Sequence, residues 1–429
     1  MNRDLFKKRK NSVVEIIGFG GAYLFAVSAL LSRSGANIAL GAMVLAFILS
    51  FRSWWPVLKR DRVFLFSICF FLLLALRTVW AAWDFPQLTD RHLDGFWDWF
   101  YLSFFIPTAW WFQGKTKRAY AALYLLFGGL LLHIFYETNW SQLERALHGA
   151  RSGLGMQIPL TGLFSCTALL GTIMLAPRIW GSAQRMPLFI LRVAVWFVFV
   201  AAFLEVLLIT QSITSWLAGV IVIPPLVWIL VRRHFRLMGT KLRAAGAVFA
   251  IVGIAAIVFL LIKNAGTIEK RLSSQEKVIQ AITTLDFDKI PFTAGIGMRL
   301  WTYRYGVGKW LERPFFGWGT GVEVAKLPQR PAKCLDHMHN TYLEILTRFG
   351  IVGLFFFIAG IWLFVSSLRK AYHRGRLPLD LLLFFIGALG ILIMWCAGNF
   401  RMPTYLLCHY ILLGGLAYSF CFAPARQEH

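Results

Sequence analysis

The sequence has few acids, few cysteines and almost no long polar stretch. Its 429 residues hold 20 Asp and Glu against 44 Lys and Arg, a formal charge of +24. Only 15% of the residues are charged while 58% are hydrophobic, too much apolar surface for a water-soluble globule to cover. The six cysteines are scattered without a CxxC pair, which argues against a disulfide framework or a thiolate metal site. Five of them (Cys69, Cys166, Cys396, Cys408 and Cys421) lie in or at the end of apolar runs, and Cys334 alone sits in polar sequence as a candidate free thiol. No small-residue cleavage pattern follows the first apolar run, so it reads as a first span rather than a signal. Internal repeats and low-complexity segments are also lacking. The glycine-rich stretch Gly317-Trp318-Gly319-Thr320-Gly321 has no Lys-Ser/Thr after it, so it is not a P-loop; a tight turn is its expected role.

What is present is a series of apolar runs, most of them near the roughly 20 residues that cross a bilayer core. They fall near 12–31, 36–51, 63–82, 97–112, 119–135, 159–177, 188–209, 212–231, 244–262, 349–367, 379–398 and 403–420. This predicts an all-α polytopic membrane protein of about twelve transmembrane helices. The basic excess falls in alternate loops, at 52–62, 113–118, 178–185, 232–243 and 369–376. That is the pattern of cytoplasmic loops rather than of a nucleic-acid surface, and it places both termini inside. The chain then divides into helices 1–9 (1–262), a large outer loop (263–348), and helices 10–12 with a tail (349–429).

The outer loop carries the chemistry-bearing cluster Asp336, His337, His339, Asn340 and Glu344, just before an apolar run begins at Phe349. A neutral imidazole can take a hydroxyl proton at neutral pH, so His339 is a candidate general base. A solvated loop histidine is the commoner state of such a residue, and two histidines spaced by one residue are weak evidence for a metal. Asn340 is placed to cap a helix that begins HNTYLEIL. Residues 296–311 read as an amphipathic helix on the membrane surface. Ile296, Leu300, Tyr303, Val307 and Trp310 form its apolar face, and Arg299, Thr302, Gly306, Lys309 and Arg313 its polar one. Arg33, Arg151 and Arg299 fall near the outer interface, where guanidinium forks suit the oxygens of a diphosphate. Arg77, Arg192 and Glu205 lie inside apolar runs, where a charge is costly. Arg77 is in the outer half of its span and is the better site candidate; Arg192 reads as snorkelling to the nearby cytoplasmic side.

Several ordered pieces together resemble the O-antigen ligase and polymerase superfamily. They are Gly-Met-Arg-Leu at 297–300 with Tyr303, Arg-Pro-Phe-Phe-Gly-Trp-Gly-Thr-Gly at 313–321, His-Asn-Thr-Tyr-Leu-Glu at 339–344, and Phe-Gly-Ile-Val-Gly at 349–353. The resemblance implies a membrane glycosyltransferase with its active site on the periplasmic face of the inner membrane. The donor would be an undecaprenyl-diphosphate-linked glycan. For the ligase, the acceptor would be the lipid A–core oligosaccharide. His339 matches the family's essential histidine, Arg299 the loop arginine, and Arg151 the arginine after the fifth span. Arg33 or Arg77 stands in where the family's Ser-Arg pair is replaced by Ser212-Ile213. His337 and Asn340 complete the expected substrate site. No cofactor, metal or nucleic acid is implied, and attack by a hydroxyl without a protein nucleophile implies inversion. Within the superfamily the alternatives are the O-antigen polymerase and the protein O-oligosaccharyltransferase. Outside it, the alternative is a twelve-span transporter, which the lack of a repeat and the outer position of the charged cluster disfavour.

Overall fold

In the computed structural model the described residues are 13–181, 186–237, 258–273, 295–322, 335, 337–400 and 402–422. Their regular structure is helical, with no strand, as buried backbone in a bilayer requires of an open-ended chain. The protein is an all-α polytopic membrane protein. Eight described helices are long and apolar enough to cross a membrane, or nine if one bent pair counts as a span.

The first spans are α1 (Val13–Leu31) and α2 (Arg33–Leu49), the latter continued by α3 (Phe51–Leu58) across an 81° bend. Then comes α4 (Arg62–Asp84), whose start is capped by Asp61: its carboxylate accepts from the Val63 and Phe64 amides. The run expected as a single span at 97–112 is not one. Helix α5 (Thr89–Tyr101) is amphipathic, gives way to a 3₁₀ turn at Leu102–Phe104, and only the eight-residue α6 (Phe105–Phe112) follows. Pro107 lacks the amide that a continuous helix would need there. Asp94 and Asp98, one turn apart, keep α5 out of hydrocarbon.

After α7 (Thr116–Glu137) and the short α8 (Trp140–Leu147), α9 (Ile158–Met174) is apolar but only 17 residues long. It leads through α10 (Ala176–Gly181) to the paired spans α11 (Met186–Thr210) and α12 (Ile213–Leu237). The expected run at 244–262 lies mostly outside the described residues. Between α12 and the closing spans stand α13 (Ala265–Ser273) and α14 (Gly295–Glu312). The closing spans are α15 (Thr341–His373), α16 (Leu379–Cys396) and α17 (Thr404–Phe422).

Hydrogen bonds tie the turns at each end of the bundle. At the basic end Arg178 reaches Tyr120 and Asp380, Tyr418 donates to Asp61, and Arg233 donates to Tyr372. At the other end Tyr101 donates to Asn37, Lys263 pairs with Glu205 at 2.9 Å, and Thr341 donates to the Asn399 carbonyl. The intramembrane Glu205 is thereby neutralised at the mouth of its span. The central core is apolar and aromatic, with Trp111, Trp395, Phe164, Phe203 and Phe384 fully buried.

Candidate active site

The site is built on the first turns of α15, to which two short stretches are fastened. The glycine-rich stretch lies along one side. The Trp318 and Gly319 amides donate to the Thr347 and Arg348 carbonyls at 2.8 and 2.9 Å, and the Ile351 amide donates to Pro314 at 2.8 Å. This crossing is possible only with glycine. Gly350 breaks α15 with φ +65°, and a Cβ on Gly321 would sit 1.8 Å from the Arg91 carbonyl oxygen. Residues 317–322 are buried. Arg77 reaches across from α4, donating to the carbonyls of Phe316 (2.8 Å) and Gly317 (2.7 Å). Thr320 donates to the His92 carbonyl at 2.8 Å. The expected tight turn is present, and it is a packing knot between α4, α5 and α15.

His92, on α5 outside the spans, is fully buried, and its Nδ1 accepts from the Gly321 amide at 3.3 Å. Burial, reinforced by the Arg77 and Arg348 guanidiniums, pushes its pKa down to about 4, so it is a neutral structural imidazole at ordinary pH.

The second stretch is the histidine turn. Asn340 caps α15 as expected, its Oδ1 accepting from the Tyr342 and Leu343 amides at 3.0 and 3.1 Å, while its amide group donates to Ala397. Before it, His339 holds a left-handed backbone, φ +49°, a conformation that costs a non-glycine residue roughly 1–2 kcal/mol. The Tyr303 hydroxyl donates to its carbonyl at 3.3 Å. Burial pushes the Tyr303 phenol above its ordinary pKa, against the opposing pull of Arg299 and Asn340, so it stays a donor. Met338 is fully buried against Gly306 of α14. With Met338 turned inward, His337 and His339 both turn the other way, their rings 4.0 Å apart. One residue joins the two stretches. Glu344 accepts from the Met338 amide at 3.3 Å and pairs with Arg348 at 3.1 Å, and Arg348 donates to the Thr320 carbonyl at 2.8 Å.

The histidines line two adjoining chambers, the larger of them polar and the smaller walled mainly by apolar side chains. His337 faces one of about 330 Å³ with Asp98, Trp99, Gln157, Arg348, Phe400 and Met402. His339 faces one of about 150 Å³ with Pro159, Trp395 and Asn399. Gln157 and Phe400 belong to both. Trp99 also borders a third, apolar groove of about 330 Å³ between α4, α15 and α17. That groove follows α15 from Ile345 to Phe364, across the break at Gly350.

The expected site residues separate into groups. His337, His339 and Asn340 come together with Arg299, whose Nη1 donates to the Gly398 carbonyl at 3.3 Å, next to Asn399 of the smaller chamber. Arg151 is one turn removed: its Nε donates to the Thr210 carbonyl at 3.2 Å, on the α11–α12 turn whose Thr214 lies against Gly398. Ile213 itself only opens α12. Arg33 lies 5.0 Å over the Tyr405 ring, two residues beyond the chamber-lining Pro403. Arg77 is held by the glycine knot. Asp336 lies outside the described residues.

The expected faces of α14 need a correction. The polar side packs inward, with Thr302, Gly306 and Lys309 buried, while Trp301, Val307 and Leu311 are exposed. Lys309 pairs with Glu312 at 2.6 Å and Arg313 with Asp84 at 2.7 Å. Sequence reasoning missed Asp98, Gln157, Arg348 and Asn399. For Asp98 a signal existed: an acid between two tryptophans in an otherwise apolar run. Among the described residues no three His, Cys, Asp or Glu side chains converge as metal ligands.

A family model described as O-antigen ligase matches residues 197–358, which include α14, both stretches and the start of α15. No curated protein matches the chain. The matched segment holds the histidine turn, the arginine of α14 and the knot that fixes them, and over these residues the chain is similar to the O-antigen ligase family.

Proposed function

We propose that the chain is an O-antigen ligase, moving a glycan from undecaprenyl diphosphate to a sugar hydroxyl of lipid A–core oligosaccharide. Its basic end would face the cytoplasm, with both termini, and its chambers the periplasmic side of the inner membrane. One observation carries the reading: two histidines with rings 4.0 Å apart stand where two chambers adjoin, the larger of them polar, and an apolar groove along α15 meets that larger chamber at Trp99. A lipid-linked sugar needs such a junction, with its tail in hydrocarbon and its reacting carbon in a polar, partly enclosed space.

In this reading the donor tail lies along α15, and the diphosphate reaches the guanidiniums of Arg299 and Arg151. Arg348, paired with Glu344 and donating to Thr320, keeps the wall of the larger chamber in place. Arg151, on the Thr210 carbonyl, supplies the cation where Ile213 replaces the family arginine. The acceptor hydroxyl donates its proton to His339 as its oxygen bonds the anomeric carbon. The bond from that carbon to the diphosphate oxygen breaks, with inversion, and the arginines stabilise the charge gathering on the leaving group. His337 and Asn340 hold the imidazole and its turn in place. The arginines supply the electrostatic work, so the reaction is expected to run without a divalent ion.

The test is transfer by the purified protein in detergent, with undecaprenyl-diphosphate glycan as donor and lipid A–core present or absent. A ligase forms product only with the core acceptor and keeps its rate in excess EDTA. Glycan lengthening on the lipid carrier without core would identify a polymerase. Movement of glycan across vesicles with no covalent product would identify a transporter. Loss of rate in EDTA that Mg²⁺, Mn²⁺ or Zn²⁺ restores would overturn the arginine mechanism.

A further inference from the structure

A second membrane-facing cavity lies at the opposite, basic end of the bundle, far along the chain from the histidine turn. It has about 540 Å³ and is walled by α7, the end of α9, α10 and α11. Most of the wall is apolar. Leu191, Val195 and Phe199 of α11 are exposed along it, and Phe127 and Phe203 meet edge to face at 6.2 Å. Trp196 spends its indole N–H on the Thr172 carbonyl at 2.7 Å, leaving ring carbon to line the space. Gly128 looks into it: a Cβ there would meet nothing within 4 Å.

The same cavity is lined by two arginines. Arg192 lies in the second turn of α11, about 9 Å along the helix from Met186, where a charge in hydrocarbon is costly. Arg178 is positioned by Asp380 (3.2 Å) and by the Tyr120 hydroxyl (3.0 Å) from its Nε. Its side chain is nevertheless 49% exposed, so one edge of the guanidinium is fixed while the side chain remains accessible. Tyr124 adds a hydroxyl. Two arginines thus line an otherwise largely apolar slot, with the buried Asp380 holding one of them. The occupant that complements this is amphiphilic, with a negative charge at the membrane surface and a chain that reaches inward.

We propose that this cavity binds an anionic glycerophospholipid from the leaflet bordering the basic loops. Its phosphate sits between Arg178 and Arg192, and an acyl chain lies over Val195, Phe199 and Gly128. Snorkelling alone would account for Arg192, but not for its sharing a cavity with a second, pre-positioned arginine and an empty glycine face. The site involves none of the chamber residues and does not depend on the ligase reading.

The test is native mass spectrometry of the delipidated full-length protein titrated with phosphatidylglycerol or with phosphatidylethanolamine of the same chains. The wild type should retain phosphatidylglycerol at concentrations at least about tenfold lower than phosphatidylethanolamine, as expected when two guanidiniums meet a net anion. Gly128→Leu, which fills open space, and Arg192→Gln should each weaken phosphatidylglycerol retention several-fold. Arg192→Lys should keep most of the preference for the anion. Circular dichroism and thermal midpoint establish that each variant is folded, and Gly128→Leu reads the site even if the charge variant fails. Equal retention of the two lipids, or unchanged retention by Gly128→Leu, would overturn the proposal. So would stronger retention of a polyprenyl phosphate, which would make the cavity a carrier-lipid site.

Discussion

The glycine stretch and the histidine turn are fastened to the same first turns of α15, yet their side chains have opposite fates. The first is buried throughout residues 317–322, with its carbonyls held by Arg77 and Arg348. The second buries only Met338 and presents two imidazoles to open chambers. One is a fastening and the other is what it fastens. The left-handed backbone of His339 persists because Asn340, Tyr303 and the buried Met338 fix both sides of it. Strain kept in this way is a mark of a working residue. The arginines divide likewise: Arg77 is absorbed by the fold, whereas Arg299 donates to the Gly398 carbonyl beside the chamber-lining Asn399, and Arg151 lies one turn further out on the Thr210 carbonyl.

The sharpest way to break this division is at its joint. Glu344→Ala removes the partner of a buried guanidinium and the acceptor for the Met338 amide. Breaking a buried pair costs about 3–5 kcal/mol, so the variant should show a large fall in thermal midpoint and in yield of folded protein. Glu344→Gln, which still accepts one hydrogen bond, should fall less. A wild-type midpoint for Glu344→Ala would mean that the two stretches are held independently.

Next in size is Arg299, beside the smaller chamber. Arg299→Ala should lower transfer by about 10–100-fold, equivalent to roughly 1.4–2.7 kcal/mol, with the midpoint little changed. Arg299→Lys should recover little of it, because a point charge cannot reproduce a two-pronged contact. Full activity in Arg299→Lys would reduce its role to charge alone.

The fastening side predicts a pH effect on stability rather than on chemistry. His92 has its folded pKa lowered to about 4 from the ordinary 6.5. As pH falls the unfolded chain takes the proton first. Stability is therefore full above about 6.5, is lost as pH falls from there to about 4, and changes no further below. The whole loss is of order 3 kcal/mol. His92→Asn, whose side-chain oxygen can accept from Gly321 in place of Nδ1, should flatten this part of the thermal-midpoint curve. An unchanged acid slope in His92→Asn would place the titration elsewhere.

Much of this was legible from the chain alone where the cause is local. The spans follow from runs of apolar residues, the Asn340 cap from its place before HNTYLEIL, and the turn at 317–321 from its glycines. What was not legible depends on distant partners. Arg77 reads as a site candidate until its acceptors appear 239 and 240 residues away. Lys309 and Arg313 read as part of a solvent-facing polar side until Glu312 and Asp84 pair with them. The inward side of α14 is its polar one because Met338 and Trp318 supply the packing there. Gln157 and Asn399 carry no local signal at all, since only the meeting of α9, α16 and α17 brings them to the histidines.

The most direct measurement compares His339→Asn with His337→Ala in purified single-turnover transfer. Asparagine tolerates the left-handed backbone at 339 but cannot serve as a base. A positioned base typically contributes 10²–10⁴-fold. The prediction is a loss of that order in His339→Asn, with an unchanged thermal midpoint and a wild-type rate that rises with pH as the base loses its proton. His337→Ala should be clearly milder. Near wild-type transfer by His339→Asn, or a greater loss in His337→Ala, would contradict the assignment of His339 as the base.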